Sequence, residues 1–155
     1  MNCANCGAPM HLVEARDYFV CDHCASFHFP REEQDGVRRL GELAGHDCPV
    51  CGRALEHASV ERLPAETCGN CHGLLLRRPA FARVVEARRG AWTGERIIPP
   101  APDPHALERR LGCPVCGRTM DTHHYLGPGR VVIDTCPECA LLWLDAGEIT
   151  QIERA

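Results

Sequence analysis

The sequence predicts a small α+β fold of three tandem units, each a short antiparallel β-hairpin followed by a helix. Three observations predict it. All twelve cysteines fall into six Cys-x-x-Cys pairs. The pairs couple two by two across stretches that carry turn and strand signals. Each couple is followed by an apolar strap and a helix-start signal.

The stretch Cys113–Ile149 shows the plan most fully. Cys113/Cys116 and Cys136/Cys139 bracket a hairpin, with Gly127-Pro128-Gly129 as its turn. The run Arg130-Val131-Val132-Ile133 is the returning strand. Gly117, directly after Cys116, supplies the permissive backbone of a tight knuckle. Leu142, Trp143 and Leu144 form the strap. Asp145-Ala146-Gly147-Glu148 reads as a capping box: Asp145 accepts from the third helical N–H, and Glu148 reaches back to the cap N–H. Ile149 and Ile152 give the helix its apolar edge.

The other two units repeat the plan with variations. The first couples Cys3/Cys6 with Cys21/Cys24 through the strand Tyr18-Phe19-Val20. Phe27 and Phe29 hold its strap positions. Pro30 then starts an expected helix, with Val37, Leu40, Leu43 and Ala44 as its apolar edge and Gly45 as its end. The second couples Cys48/Cys51 with Cys68/Cys71, and its CPVCGR at 48–53 is identical to 113–118. Leu74 and Leu76 form its strap; Pro79 opens a helix with Phe81, Val84 and Val85 on one face, ending at Gly90. Residues 91–104 read as a Pro-rich, semi-rigid linker. Asp103-Pro104 is an N-cap and first helical residue, and Leu107 and Leu111 follow at helical spacing. The expected units are therefore 1–45, 46–90 and 105–155. The first two are expected to pack together, with the spacer offsetting the third.

Two cysteines three apart in a tight turn point both sulfurs at one ion. Two such turns supply four thiolates, a closed tetrahedral shell that suits zinc. Cys3, Cys6, Cys21 and Cys24 are thus the expected ligands of one structural zinc ion. Cys48, Cys51, Cys68 and Cys71 hold a second, and Cys113, Cys116, Cys136 and Cys139 a third. Units this small, close to the ~40 residues below which a metal, disulfide or partner is usually needed, are not expected to hold together by apolar burial alone. The chain opens MNCANC without a basic or apolar leader, and no run has membrane-spanning length. A reducing cytoplasmic location is expected, where such cysteines are ligands rather than disulfides. The alternative metal is iron in a rubredoxin-like Fe(Cys)₄ site. Against it, Ala25, His72 and Ala140 follow the second knuckles where rubredoxin-like proteins carry glycine.

The third unit, CPVCGRTM…VVIDTCPECALLWLDAGEI, resembles the bacterial zinc-ribbon domain named after the zinc ribbon of transcription factor TFIIB. Asp134, Pro137, Trp143, Leu144, Asp145, Gly147 and Glu148 carry the resemblance. The second unit is similar but lacks the Trp-Leu-Asp-x-Gly-Glu tail. The first is similar to zinc ribbons in general. The resemblance implies zinc, a ribbon fold and a link to transcription.

Nothing in the sequence forms a nucleophile–base set, a phosphate loop or a paired-carboxylate frame. The chain is expected not to be an enzyme and to take no small-molecule substrate. The formal charge is −4, and each closed Cys₄ zinc site adds a net −2, a poor balance for a general nucleic-acid binder. The expected function is a non-catalytic, transcription-associated adaptor that presents straps and hairpin edges to a protein partner, with no membrane partner. The alternative is a nucleic-acid-binding regulator. It would use the arginine-rich 77–96 face, with Arg77, Arg78, Arg83, Arg88 and Arg89 as contacts. His23, His72 and the His123-His124 pair near Asp121 read as surface residues. Trp143 reads as ribbon core. Trp92, beside Ile97 and Ile98, either packs between units or docks on a partner.

Overall fold

The computed structural model describes residues 1–13 and 16–155. Ribbon 1 is a three-stranded antiparallel sheet of β1 (His11–Val13), β2 (Tyr18–Val20) and β3 (Phe27–His28). Ribbon 2 contributes β5 (Ala54–Val60), β6 (Leu63–Cys68) and β7 (Leu74–Arg77), followed by α1 (Arg78–Ala91). Ribbon 3 contributes β8 (Asp121–His124), β9 (Val132–Cys136) and β10 (Leu141–Leu144), followed by α2 (Glu148–Arg154). With β4 (Val37–Asp47), these strands make one seven-stranded sheet in the order β4-β5-β6-β7-β10-β9-β8.

The two straps join that sheet at its centre. β7 and β10 pair antiparallel, with Leu74 opposite Leu144, Leu75 opposite Trp143 and Leu76 opposite Leu142. Strand alternation then divides the side chains between two cores. Leu74, Leu76, Leu142 and Leu144 face α1 and α2, packing with Phe81, Val84, Ile149 and Ile152. Leu75, Leu141 and Trp143 face the other way, against Leu55, Met120 and the buried cysteines of ribbons 2 and 3. Gly73 is required here: a Cβ on it would lie 2.1 Å from the Trp143 ring.

Two expectations are corrected. The spacer does not offset the third unit, because burying both straps by pairing them removes more apolar surface from water than leaving either exposed. The linker also packs on α2: the Ile97 amide donates to the Arg154 carbonyl (2.8 Å), and the Arg154 guanidinium lies 5.0 Å from the centroid of the Trp92 ring. Trp92 thus packs against α2. The second correction is the helix expected after Pro30, where the chain forms β4. Three of its apolar residues serve three different cores, Val37 the helix-covered one, Leu40 that of ribbon 1 and Ala44 the cysteine-lined one, while Leu43 is exposed. Two bulges, at Gly41 (φ 74°) and Gly45 (φ 82°), set four residues of β4 against two of β5 at each step. Asp103 does cap the turn at Pro104–Glu108, accepting from the His105 amide (2.9 Å), but that turn is 3₁₀. No helix is long and apolar enough to cross a membrane among the described residues.

Candidate metal centres

Each ribbon brings its four cysteines to one point. In all three groups the four sulfurs lie within 4.8 Å of one another. The first and third cysteines are buried, the second exposed and the fourth half-buried, the same in every ribbon. The local backbone explains this. In the first knuckles the amides of Gly7, Gly52 and Gly117 donate to the carbonyls of Cys3, Cys48 and Cys113 (2.8–2.9 Å), closing a turn around both sulfurs. In the second knuckles of ribbons 1 and 2 the amides of Ala25 and His72 do the same toward Cys21 and Cys68. Ala25, His72 and Ala140 adopt left-handed φ values of 57°, 57° and 51° without being glycine.

The donor set fits zinc. Zn–S bonds of ~2.3 Å place tetrahedral sulfurs about 3.8 Å apart. Cross-knuckle sulfurs lie at 3.6 Å (Cys3–Cys24), 3.5 Å (Cys6–Cys21; Cys48–Cys71), 3.4 Å (Cys51–Cys68) and 3.7 Å (Cys116–Cys136). These are far beyond the ~2.05 Å of a disulfide, and all twelve cysteines are free. Hydrogen bonds lower at least one thiol in each ribbon. The Ser26 hydroxyl, 3.1 Å away, pulls the Cys24 thiol down to about 5. The backbone at Arg53 and at Arg118 brings Cys51 and Cys116 down to about 7. Burial instead raises Cys48.

Ribbon 3 adds a buried polar network to its four cysteines, built on Asp134, Trp143, Asp145 and Glu148. Residues 112–155 match the family model of the TFIIB-type zinc ribbon, described as "Transcription factor zinc-finger". Neither the curated proteins nor the solved structures hold a match to the chain. The three Cys₄ groups are consistent with three zinc ions.

Two residues of the matched stretch, Asp134 and Asp145, converge on Arg109, which lies just outside it. Its guanidinium pairs with fully buried Asp134 and with Asp145. Burial opposes the Arg109 charge, but the two carboxylates outweigh it and raise its pKa further. Asp134 also accepts from the Thr122 hydroxyl, and Asp145 from the Trp143 indole N–H (3.1 Å). Half of the expected capping box forms: Glu148 accepts from the Asp145 amide (2.8 Å). Burial, reinforced by nearby Asp145 and Asp134, pushes the Glu148 carboxyl up to about 8. The Asp145 carboxylate, expected to cap the helix, is taken by Arg109 and Trp143. The α2 amides are capped from ribbon 1's side of the chain instead. Asp35 accepts from the amides of Gly147 (2.5 Å) and Thr150 (3.0 Å) and from the Thr150 hydroxyl (2.7 Å). No sequence signal links residues this far apart.

The five candidate arginines divide into two groups. Arg77, Arg78 and Arg83 are exposed and join no ion pair among the described residues. Arg88 and Arg89 are committed to α2. Arg88 pairs with Glu153 and donates to the Asp35 carbonyl (2.8 Å); Arg89 donates to the Ile152 and Ala155 carbonyls (2.7 Å each). His23 and His72 are exposed beside their knuckles. His123 lies between the His124 carbonyl (3.0 Å) and the Thr135 hydroxyl (3.1 Å), and the His123-His124 pair joins no metal-binding group among the described residues.

Proposed function

We propose that the protein is a non-catalytic, zinc-stabilised adaptor that binds another protein in association with transcription. The closed Cys₄ shells carry this reading. Four sulfurs at tetrahedral spacing leave no ligand position for water or substrate, so the ions serve structure rather than Lewis-acid chemistry. The straps of ribbons 2 and 3 are consumed in the β7–β10 pair and are not the partner surface. The knuckle tips are the better candidates: Val50 and Val115, from the two identical CPVCGR loops, are 48% and 50% exposed.

The test is an affinity pull-down from the native host after nuclease treatment, with zinc retained, read by mass spectrometry. A transcription protein captured by the native chain and lost from Val50→Ser/Val115→Ser supports the proposal. Capture of no protein above background overturns it.

A second reading, nucleic-acid binding, is favoured by the unpaired, exposed Arg77, Arg78 and Arg83. It predicts low-salt binding that Arg77→Glu/Arg78→Glu/Arg83→Glu abolishes, with a correspondingly shallower salt dependence in single variants. Absence of binding at low salt refutes it.

A further inference from the structure

Ribbon 1 has a strap that its own chain leaves bare. The left-handed residues Ala25, His72 and Ala140 align the three units. Phe27, His28 and Phe29 then stand where Leu74, Leu75 and Leu76 stand in ribbon 2, and where Leu142, Trp143 and Leu144 stand in ribbon 3. The leucine straps are buried; Phe27 and Phe29 are 57% and 66% exposed. Their rings cluster with Tyr18, at centroid distances of 5.5 and 5.3 Å. In ribbons 2 and 3 the corresponding face lies under α1 and α2. After ribbon 1 the chain makes only a one-turn 3₁₀ helix (Gln34–Gly36) before β4, so among the described residues no α-helix follows to cover it. Among the described residues β3 bonds only to β2, and its other edge is open.

We propose that this edge pairs with the β3 edge of a second copy of the chain, antiparallel, about a two-fold axis at His28. The template is the β7–β10 pair. There the first strap position meets the third, and the middle meets the middle: Leu74 with Leu144, Leu75 with Trp143, Leu76 with Leu142. That arrangement is a two-fold in all but residue identity. Applied to two copies of ribbon 1, it sets each Phe27 against the second copy's Phe29, and His28 against His28.

The hydrogen-bond phase agrees. The Cys21 amide donates to the Ser26 carbonyl (2.9 Å). By the alternation of an antiparallel ladder, Phe27 and Phe29 then aim their N–H and C=O groups at the open edge. Pro30, which has no N–H, does not interrupt the ladder. It stands at the place of Arg77, and in β7–β10 the next edge bond is made by the following residue, Arg78, to the Ala140 carbonyl (2.9 Å). Arg31 is placed to make the same bond to the second copy's Ala25. With the other two straps consumed inside the chain, the free strap of matching length and register among the described residues belongs to another ribbon 1.

A buried phenylalanine removes ~150–250 Å² from water, so the four half-exposed rings remove about 500 Å² together. Stable interfaces bury upward of ~1,200 Å², so this is a weak association that forms only at high protein concentration. The proposal goes beyond the adaptor reading and needs no host partner, so the two fail separately.

The experiment is sedimentation velocity on the zinc-loaded full chain across a concentration series reaching several hundred micromolar. The expected mass rises from 17.1 kDa toward twice that value. Phe27→Ser/Phe29→Ser, at exposed positions, stays monomeric with its zinc content intact. Leu126→Ser, on an exposed residue of the β8–β9 loop, dimerises as the native chain does. Amide exchange at Phe27 and Phe29 slows as concentration rises. A native chain that stays at 17.1 kDa throughout overturns the proposal, as does a dimer that the double variant leaves unchanged.

Discussion

Replacing Asp35 with alanine tests whether the far end of the chain is held by ribbon 1's side. Asp35 is buried, at 7% exposure, and its carboxylate accepts three hydrogen bonds from Gly147 and Thr150. Bonds to a charged acceptor are worth ~1.5–3 kcal/mol each, and loss of a helix cap costs ~0.5–2 kcal/mol. The three bonds share one carboxylate and are not additive, so their joint loss is about 3 kcal/mol. Asp35 also sits at φ 60°, and alanine in that left-handed region adds ~1 kcal/mol. For a chain of this length ~1 kcal/mol moves Tm by 2–4 °C, so Asp35→Ala should lower it by roughly 8–16 °C. Asparagine tolerates the backbone and keeps one acceptor, so Asp35→Asn should lose about half as much. The assay is thermal unfolding followed by circular dichroism on zinc-saturated protein, with metal content confirmed as unchanged. An Asp35→Ala variant melting within ~2 °C of the native chain would refute the cap as a source of stability.

Chelation should unfold the chain, because structural zinc contributes ~10–16 kcal/mol in small modules of this kind; metal analysis should find three zinc ions in colourless protein, and red iron protein would overturn the assignment. Ser26→Ala should raise the pH at which ribbon 1 releases zinc. Without the hydroxyl the Cys24 thiol rises from about 5, and protons compete with the ion at higher pH, which a chromogenic zinc titration reads. The folded-state pKa of Glu148, about 8, lies above the ordinary carboxylate value of 4.5, so the folded chain holds the extra proton and stability falls as pH rises from 4.5 to 8. Glu148→Gln should therefore gain on the native chain by a few kcal/mol between pH 5 and pH 8, and parallel melting curves across that range would contradict it. Gly73→Ala should cost ~1–3 kcal/mol by driving a methyl group into the Trp143 ring; a neutral effect on Tm would show that the ring has room to move.

The metal sites were legible because their information is local. A Cys-x-x-Cys turn is fixed by neighbouring residues, and a glycine or left-handed residue directly after it completes the geometry. α1 was legible for the same reason, with Pro79 at its start and Phe81 and Val84 one face apart. β4 was not. Val37, Leu40 and Ala44 have helical spacing, but they are spaced so because three cores draw on one strand, and because two glycine bulges stretch its repeat against β5 from two residues to four. Arg88 and Arg89 read as a basic face because their partners, Glu153 and the α2 carbonyls, lie more than 60 residues away. Arg109 carried no signal at all, since a lone arginine is explained only by the two carboxylates that fold back onto it.

The difference between ribbon 1 and the other two follows from what comes after each strap. Ribbons 2 and 3 are each followed by a helix, and their straps pair, so both the edge and the outer face of the leucine pair are covered. Ribbon 1 gives up its helix so that β4 can extend the large sheet and Asp35 can cap α2. That exchange ties ribbon 1 to the body through Leu40 on the strap's far side, while Phe27 and Phe29, packed with Tyr18, keep aromatic rings at positions where its sister ribbons carry buried leucines. A face that served only as ribbon surface would be stabilised by polar residues there, because exposed aromatic clusters gain nothing from water. The aromatic identity of these residues is therefore accounted for by a partner that covers them, and the register of β7–β10 describes how such a partner is seated.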